Sequence, residues 1–126
     1  MTEKQYIAKA YLLSGCPFSF KFLLFMTESQ LLKQIEIITL DRKSDDFNSI
    51  VSNLEKLSGE KASYPTVEIE AGVFRSDSDQ LIKYFAEKHG VEYEKLPILE
   101  FYKQGVFQGV LDLYRENIEL KSQLKS

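Results

Sequence analysis

Cys16 is the one cysteine in this 126-residue chain, and it sits in the stretch Ser14-Gly15-Cys16-Pro17-Phe18-Ser19. Tyr11-Leu12-Leu13 precedes it, and an apolar run with helical spacing follows. That order puts the thiol where a strand ends and a helix begins. A sulfur there meets unpaired backbone N–H groups and the positive end of the helix dipole, an arrangement that suits a nucleophile. The competing reading of a lone cysteine is a small buried apolar residue. One cysteine cannot close an internal disulfide, so thiol chemistry must take its second sulfur from another molecule. His89, the one histidine, falls near a helix end and reads as a solvated capping residue. No residues beside it suggest a catalytic dyad, and no metal site is expected.

The elements that position Cys16 follow from periodicity. Residues 6–13 form an apolar run suited to a central strand. Pro17 suits a first helical turn, where its missing N–H costs nothing. Phe18, Phe22, Phe25, Met26, Leu31 and Leu32 form a helical stripe, widened by Phe20, Leu23 and Leu24. Residues 35–40 are β-branched and read as a strand. Ser44 or Asp45 could cap a helix carrying Phe47, Ile50, Val51, Leu54 and Leu57, ended by Ser58-Gly59. Residues 66–70 alternate as a strand, Ala71-Gly72 turns, and residues 73–75 return as a hairpin partner. Asp77 or Ser78 then caps a helix closed by Gly90. Strands alternating with helices imply parallel pairing, and the hairpin adds an antiparallel edge. The expected class is α/β, a four-stranded mixed sheet flanked by helices.

Residues 91–126 admit two readings. Leu99, Tyr102, Val106, Val110, Leu113, Leu120 and Leu124 fit a long amphipathic helix, with Gly105 and Gly109 allowing close approach. Alternatively, residues 98–102 and 106–111 pair as a hairpin around Lys103-Gln104-Gly105, with a helix from Glu116. Persistence of the stripe favours the helix. The expected organisation is a domain over residues 1–90 with a helical extension over 91–126.

Composition narrows the partners. Sixteen basic against 19 acidic residues leave a net charge of −3, with no basic cluster of the kind that binds nucleic acid. A hydrophobic fraction of 44% and a charged fraction of 28% are ordinary for a water-soluble domain. Leu13-Ser14-Gly15-Cys16 spells a lipoprotein cleavage box, but the apolar run before it is short and broken by Lys9. A cytoplasmic protein without a membrane partner is the expectation.

Strand, then Cys16-Pro17-Phe18-Ser19 opening a helix, then Tyr64-Pro65-Thr66-Val67, then Asp77-Ser78 opening a later helix, together resemble the thioredoxin-fold superfamily. Glutaredoxins and the N-terminal domain of glutathione S-transferases are the branches it is most similar to, over about residues 6–90. The resemblance implies that Pro65 is cis and presents the backbone of Tyr64 to a peptide-like ligand such as glutathione. It also implies that Phe18 lines that site and that Asp77 and Ser78 receive the γ-glutamyl end. A carboxylate could hold the ligand's ammonium while the hydroxyl and helix N–H groups take its carboxylate. Ser19 stands where dithiol enzymes carry a resolving cysteine, which implies a monothiol route through Cys16. Glutathione would be the co-substrate and a glutathionylated protein the partner, with Arg75 or Lys21 adding positive charge. The tail is shorter than a transferase's helical domain, so a hydrophobic-substrate site would be missing or supplied by another subunit. The alternative reading is a non-catalytic interaction module that self-associates, as a homodimer, or docks a partner through its C-terminal helix.

Overall fold

The computed structural model describes residues 6–125. Strand β1 (Ala8–Leu13) lies inside a four-stranded sheet of order β2-β1-β3-β4. It pairs in parallel with β2 (Ile35–Leu40), Ala8 opposite Ile35 and Leu13 opposite Leu40. On its other side it pairs antiparallel with β3 (Thr66–Glu70), and β3 pairs antiparallel with β4 (Val73–Ser76) through a bulge between Glu68 and Glu70. Both faces of the sheet are covered, so β1 reads as a nearly continuous apolar run rather than an alternating one.

Alternation along β1 divides its side chains between two cores. Ala8, Ala10 and Leu12 join Phe22, Phe25 and Met26 of helix α1 (Pro17–Glu28) and Leu81, Ile82 and Phe85 of helix α3 (Ser78–His89). Tyr11 and Leu13 turn the other way, onto Leu40 and Leu54, where Phe47, Ile50 and Val51 of helix α2 (Phe47–Ser58) also pack. The expected mixed sheet with flanking helices is thus present, with α1 and α3 on one face and α2 on the other.

Helix ends refine the sequence reading. The apolar stripe expected to carry α1 through Leu32 stops at Glu28. Gln30 takes a left-handed conformation (φ 64°), and Leu31 N–H donates to Met26 O while Gln30 N–H donates to Thr27 O. That pair of bonds is a Schellman end with glutamine in the usual glycine position. Leu31 is buried, but beyond the helix. The cap position of α2 is Asp46 rather than Ser44 or Asp45. At α3, Asp77 is the cap and accepts from the N–H groups of Asp79 and Gln80.

The tail is helical and not a hairpin. Helix α4 (Pro97–Phe101), a π-helical turn (Tyr102–Phe107) and helix α5 (Gln108–Lys125) follow one another. Leu99 is fully buried in the α1/α3 core, with Val91, Tyr93 and Leu96 packed alongside. The Glu28 carboxylate accepts from the N–H groups of Ile98 and Leu99, both at 2.8 Å. A side chain from the end of α1 thereby caps the start of α4. Gly105 and Gly109 meet no neighbour where a Cβ would stand, so they serve no close approach. Among the described residues, no helix is long and apolar enough to cross a membrane.

Candidate functional site

Cys16 occupies the N-cap position of α1. A tight turn delivers it there: its N–H donates to Leu13 O at 3.1 Å, and Gly15, third in the turn, has φ 83°. Glycine takes that conformation without strain. Ser14 N–H donates to Leu40 O at 2.8 Å, which ties the turn to the end of β2. Cys16 is half-buried, and its Sγ lies 3.9 Å from the carbonyl oxygen of Tyr64.

The Tyr64–Pro65 peptide bond is cis. Pro65 is buried, and the Tyr64 ring packs among the residues on the α2 side of the sheet. Its hydroxyl is buried with no hydrogen-bond partner among the described residues. Burial, then the Glu55 carboxylate, push that phenol above its ordinary range, with Arg42 opposing. The side chain therefore anchors the loop, while the backbone carbonyl faces Cys16.

Phe18, Tyr64, Asp77 and Ser78 converge with Ser63 and Asp79 on one cleft of about 340 Å³. Asp77 has φ 79°, an uncommon conformation for a residue other than glycine. Its Oδ1 holds the first N–H groups of α3, so capping also fixes the direction of the carboxylate. Ser78 is buried in the first turn. Ser19 stands apart from this cleft. It is 3% exposed, and its hydroxyl accepts the Leu13 N–H at 3.1 Å, which gives it a place in holding β1 to α1.

The two basic candidates are both engaged. Lys21, 3% exposed, pairs with Asp79 at 2.7 Å and lies 4.4 Å from the centre of the Phe107 ring. It ties α1 to α3 and to the π-helical turn. Arg75 lies over the Tyr84 ring at 5.2 Å. His89 lies in the last turn of α3, parallel to the Phe85 ring. Among the described residues, no group of three or more His, Cys, Asp or Glu could hold a metal ion.

On the other side of Cys16 the tail builds something the sequence did not disclose. A cavity of about 410 Å³ is lined by Cys16, Pro17, Phe20, Leu23, Tyr102, Val106 and Val110, among others. The tail thus walls an apolar cavity beside Cys16 within this chain. Tyr102 is its one buried polar side chain from the tail, and its hydroxyl donates to Pro17 O at 2.8 Å. Burial, then the neighbouring Cys16 sulfur, raise this phenol above its ordinary range. Its ring also packs on Phe20 and Phe107. The only sequence signal was a tyrosine in a stripe of leucines and valines, which says nothing about where its hydroxyl points.

The chain matches no protein-family model and no curated protein by sequence. Among solved structures, it is similar to a diazinon-metabolizing glutathione S-transferase of the silkworm, Bombyx mori, with a TM-score of 0.50 and 20% identity. The similarity covers 67% of this chain and 39% of that one. At this identity the likeness speaks for the fold: thioredoxin-like, resembling the N-terminal domain of glutathione S-transferases.

Proposed function

We propose that this protein carries out glutathione-dependent thiol chemistry, as an oxidoreductase or transferase working by a monothiol route through Cys16. The observation that carries the reading is convergence. A sulfur at the start of α1 lies 3.9 Å from the Tyr64 carbonyl that precedes Pro65, beside a cleft lined by Phe18, Tyr64, Asp77 and Ser78. In this reading the Tyr64 backbone and Pro65 align the peptide part of glutathione against Phe18. The Asp77 carboxylate, which also holds the Asp79 and Gln80 N–H groups, takes its ammonium, and Ser78, with its hydroxyl and its own N–H at the start of α3, takes its carboxylate. Ser19 supports the junction, and because it is not a cysteine it cannot resolve a disulfide.

The reaction balances without a metal. Cys16 thiolate attacks the glutathione sulfur of a glutathionylated protein, the S–S bond breaks, and the protein thiolate leaves to take a proton. Cys16 is then glutathionylated. A second glutathione thiolate attacks that glutathione sulfur, releasing oxidised glutathione and restoring Cys16. The apolar cavity on the far side of the sulfur fits a hydrophobic acceptor for the transferase variant of this chemistry. A cytoplasmic glutathione pool supplies the co-substrate. Residues 1–90 form the glutathione-binding unit in this reading, and 91–126 extend it.

The test is turnover of a glutathionylated substrate by the wild type and by Cys16→Ser, with Asp77→Ala for binding. Loss of turnover in Cys16→Ser and weaker glutathione binding in Asp77→Ala are expected. Equal rates for wild type and Cys16→Ser, or no turnover in either, would leave the fold as a scaffold and end the catalytic reading.

A further inference from the structure

Helix α5 (Gln108–Lys125) is about 27 Å long at 1.5 Å per residue, and large apolar side chains stand out from it. Val110, Leu113, Leu120 and Leu124 are 40%, 66%, 52% and 86% exposed. With Asn117, these positions fall at alternating spacings of three and four, the 110, 113, 117, 120, 124 pattern of a heptad seam. Val110, Asn117 and Leu124 occupy the a sites, and Leu113 and Leu120 the d sites. Exposed Glu116 and Lys121 flank the seam at g and e.

We infer that α5 is a dimerisation helix that pairs with the α5 of a second copy of this chain as a parallel two-stranded coiled coil. The pattern is self-complementary. A valine at a with leucine at d favours two strands, and a single asparagine at a sets register, because its amide is satisfied by the same amide of the other strand. In the parallel arrangement Glu116 of each strand faces Lys121 of the other. An antiparallel pair would set g against g and e against e, acid facing acid and lysine facing lysine. A second copy therefore satisfies both the amide and the charges. Val110 also lines the cavity beside Cys16, so the paired helices stand at its rim. This inference is independent of the chemistry proposed for Cys16, since its readout is mass.

Two heptads make a weak pair, so association depends on concentration. In light scattering of the full chain, the mass should climb from 14.6 kDa toward twice that value as concentration rises. Leu113→Asp/Leu120→Asp should hold it at the lower mass, and Ile118→Asp, off the seam, should leave association unchanged. Glu116→Lys should weaken pairing, and mixing it with Lys121→Glu should restore it. In a Cys16→Ser background, Leu124→Cys should oxidise to a disulfide-linked dimer. A single 14.6 kDa species at every concentration overturns the inference. So does dissociation by Ile118→Asp as strong as by the seam pair, and absence of the Leu124→Cys crosslink overturns the parallel arrangement.

Discussion

At the scale of single residues, the tail reaches the thiol through one hydroxyl. Tyr102 donates to the carbonyl of Pro17, the residue after Cys16, and its ring holds Phe20 and Phe107. Tyr102→Phe removes the bond but keeps the rings, and the carbonyl it leaves still belongs to the first turn of a helix. A loss of about 1 kcal/mol follows from the net worth of such a bond, measurable as a lower urea midpoint with an unchanged slope. A variant as stable as wild type would show that ring packing alone holds this wall. Tyr64 presents the opposite case, since its hydroxyl is buried without a hydrogen-bond partner among the described residues while its backbone carbonyl faces the sulfur.

At the scale of elements, one carboxylate joins the tail to the sheet-and-helix unit. Glu28, at the last position of α1, receives both leading N–H groups of α4. Removing an N-terminal cap costs about 1 kcal/mol, and here the cost falls on the docking of Leu99 into the α1/α3 core. Glu28→Ala should speed hydrogen exchange at the Ile98 and Leu99 amides while leaving the amides of β1 protected. Uniform loss of protection would mean that the tail and the sheet unfold as one unit. This contact joins residues 70 positions apart, so no local pattern could disclose it.

At the scale of the whole molecule, alkaline pH tests three buried phenols together. Burial heads the causes that raise the Tyr11, Tyr64 and Tyr102 phenols above their ordinary value. The Glu68 and Glu36 charges add to it at Tyr11, and Glu55 and Cys16 at the other two. The folded chain then keeps protons that the unfolded chain releases, so stability is full below about pH 10 and falls as pH rises past it. The urea midpoint should decline there, and the decline should flatten in a Tyr64→Phe/Tyr102→Phe double variant. A slope identical to wild type would mean the two phenols ionise alike in both states.

Local pattern was enough for every strand, for three of the helices, and for the junction that carries Cys16. Those features rest on side-chain period, on Pro17, and on Asp77 at a helix start, which act within a few residues of themselves. The end of α1 departs from the apolar stripe because Gln30 takes a left-handed conformation usually left to glycine. Resemblance, rather than composition, suggested the cis bond before Pro65 and the grouping of Phe18, Tyr64, Asp77 and Ser78. The stripe from Leu99 to Leu124 already favoured a helical tail, but only the tertiary structure decided that a π-helical turn interrupts it and that Glu28 caps it and Tyr102 holds it. It also decided that Lys21 is buried against Asp79, and that an apolar cavity opens on the far side of the sulfur. The reason is physical: a period or a cap is written in neighbouring residues, whereas a cavity wall is made by side chains that meet only when distant segments pack.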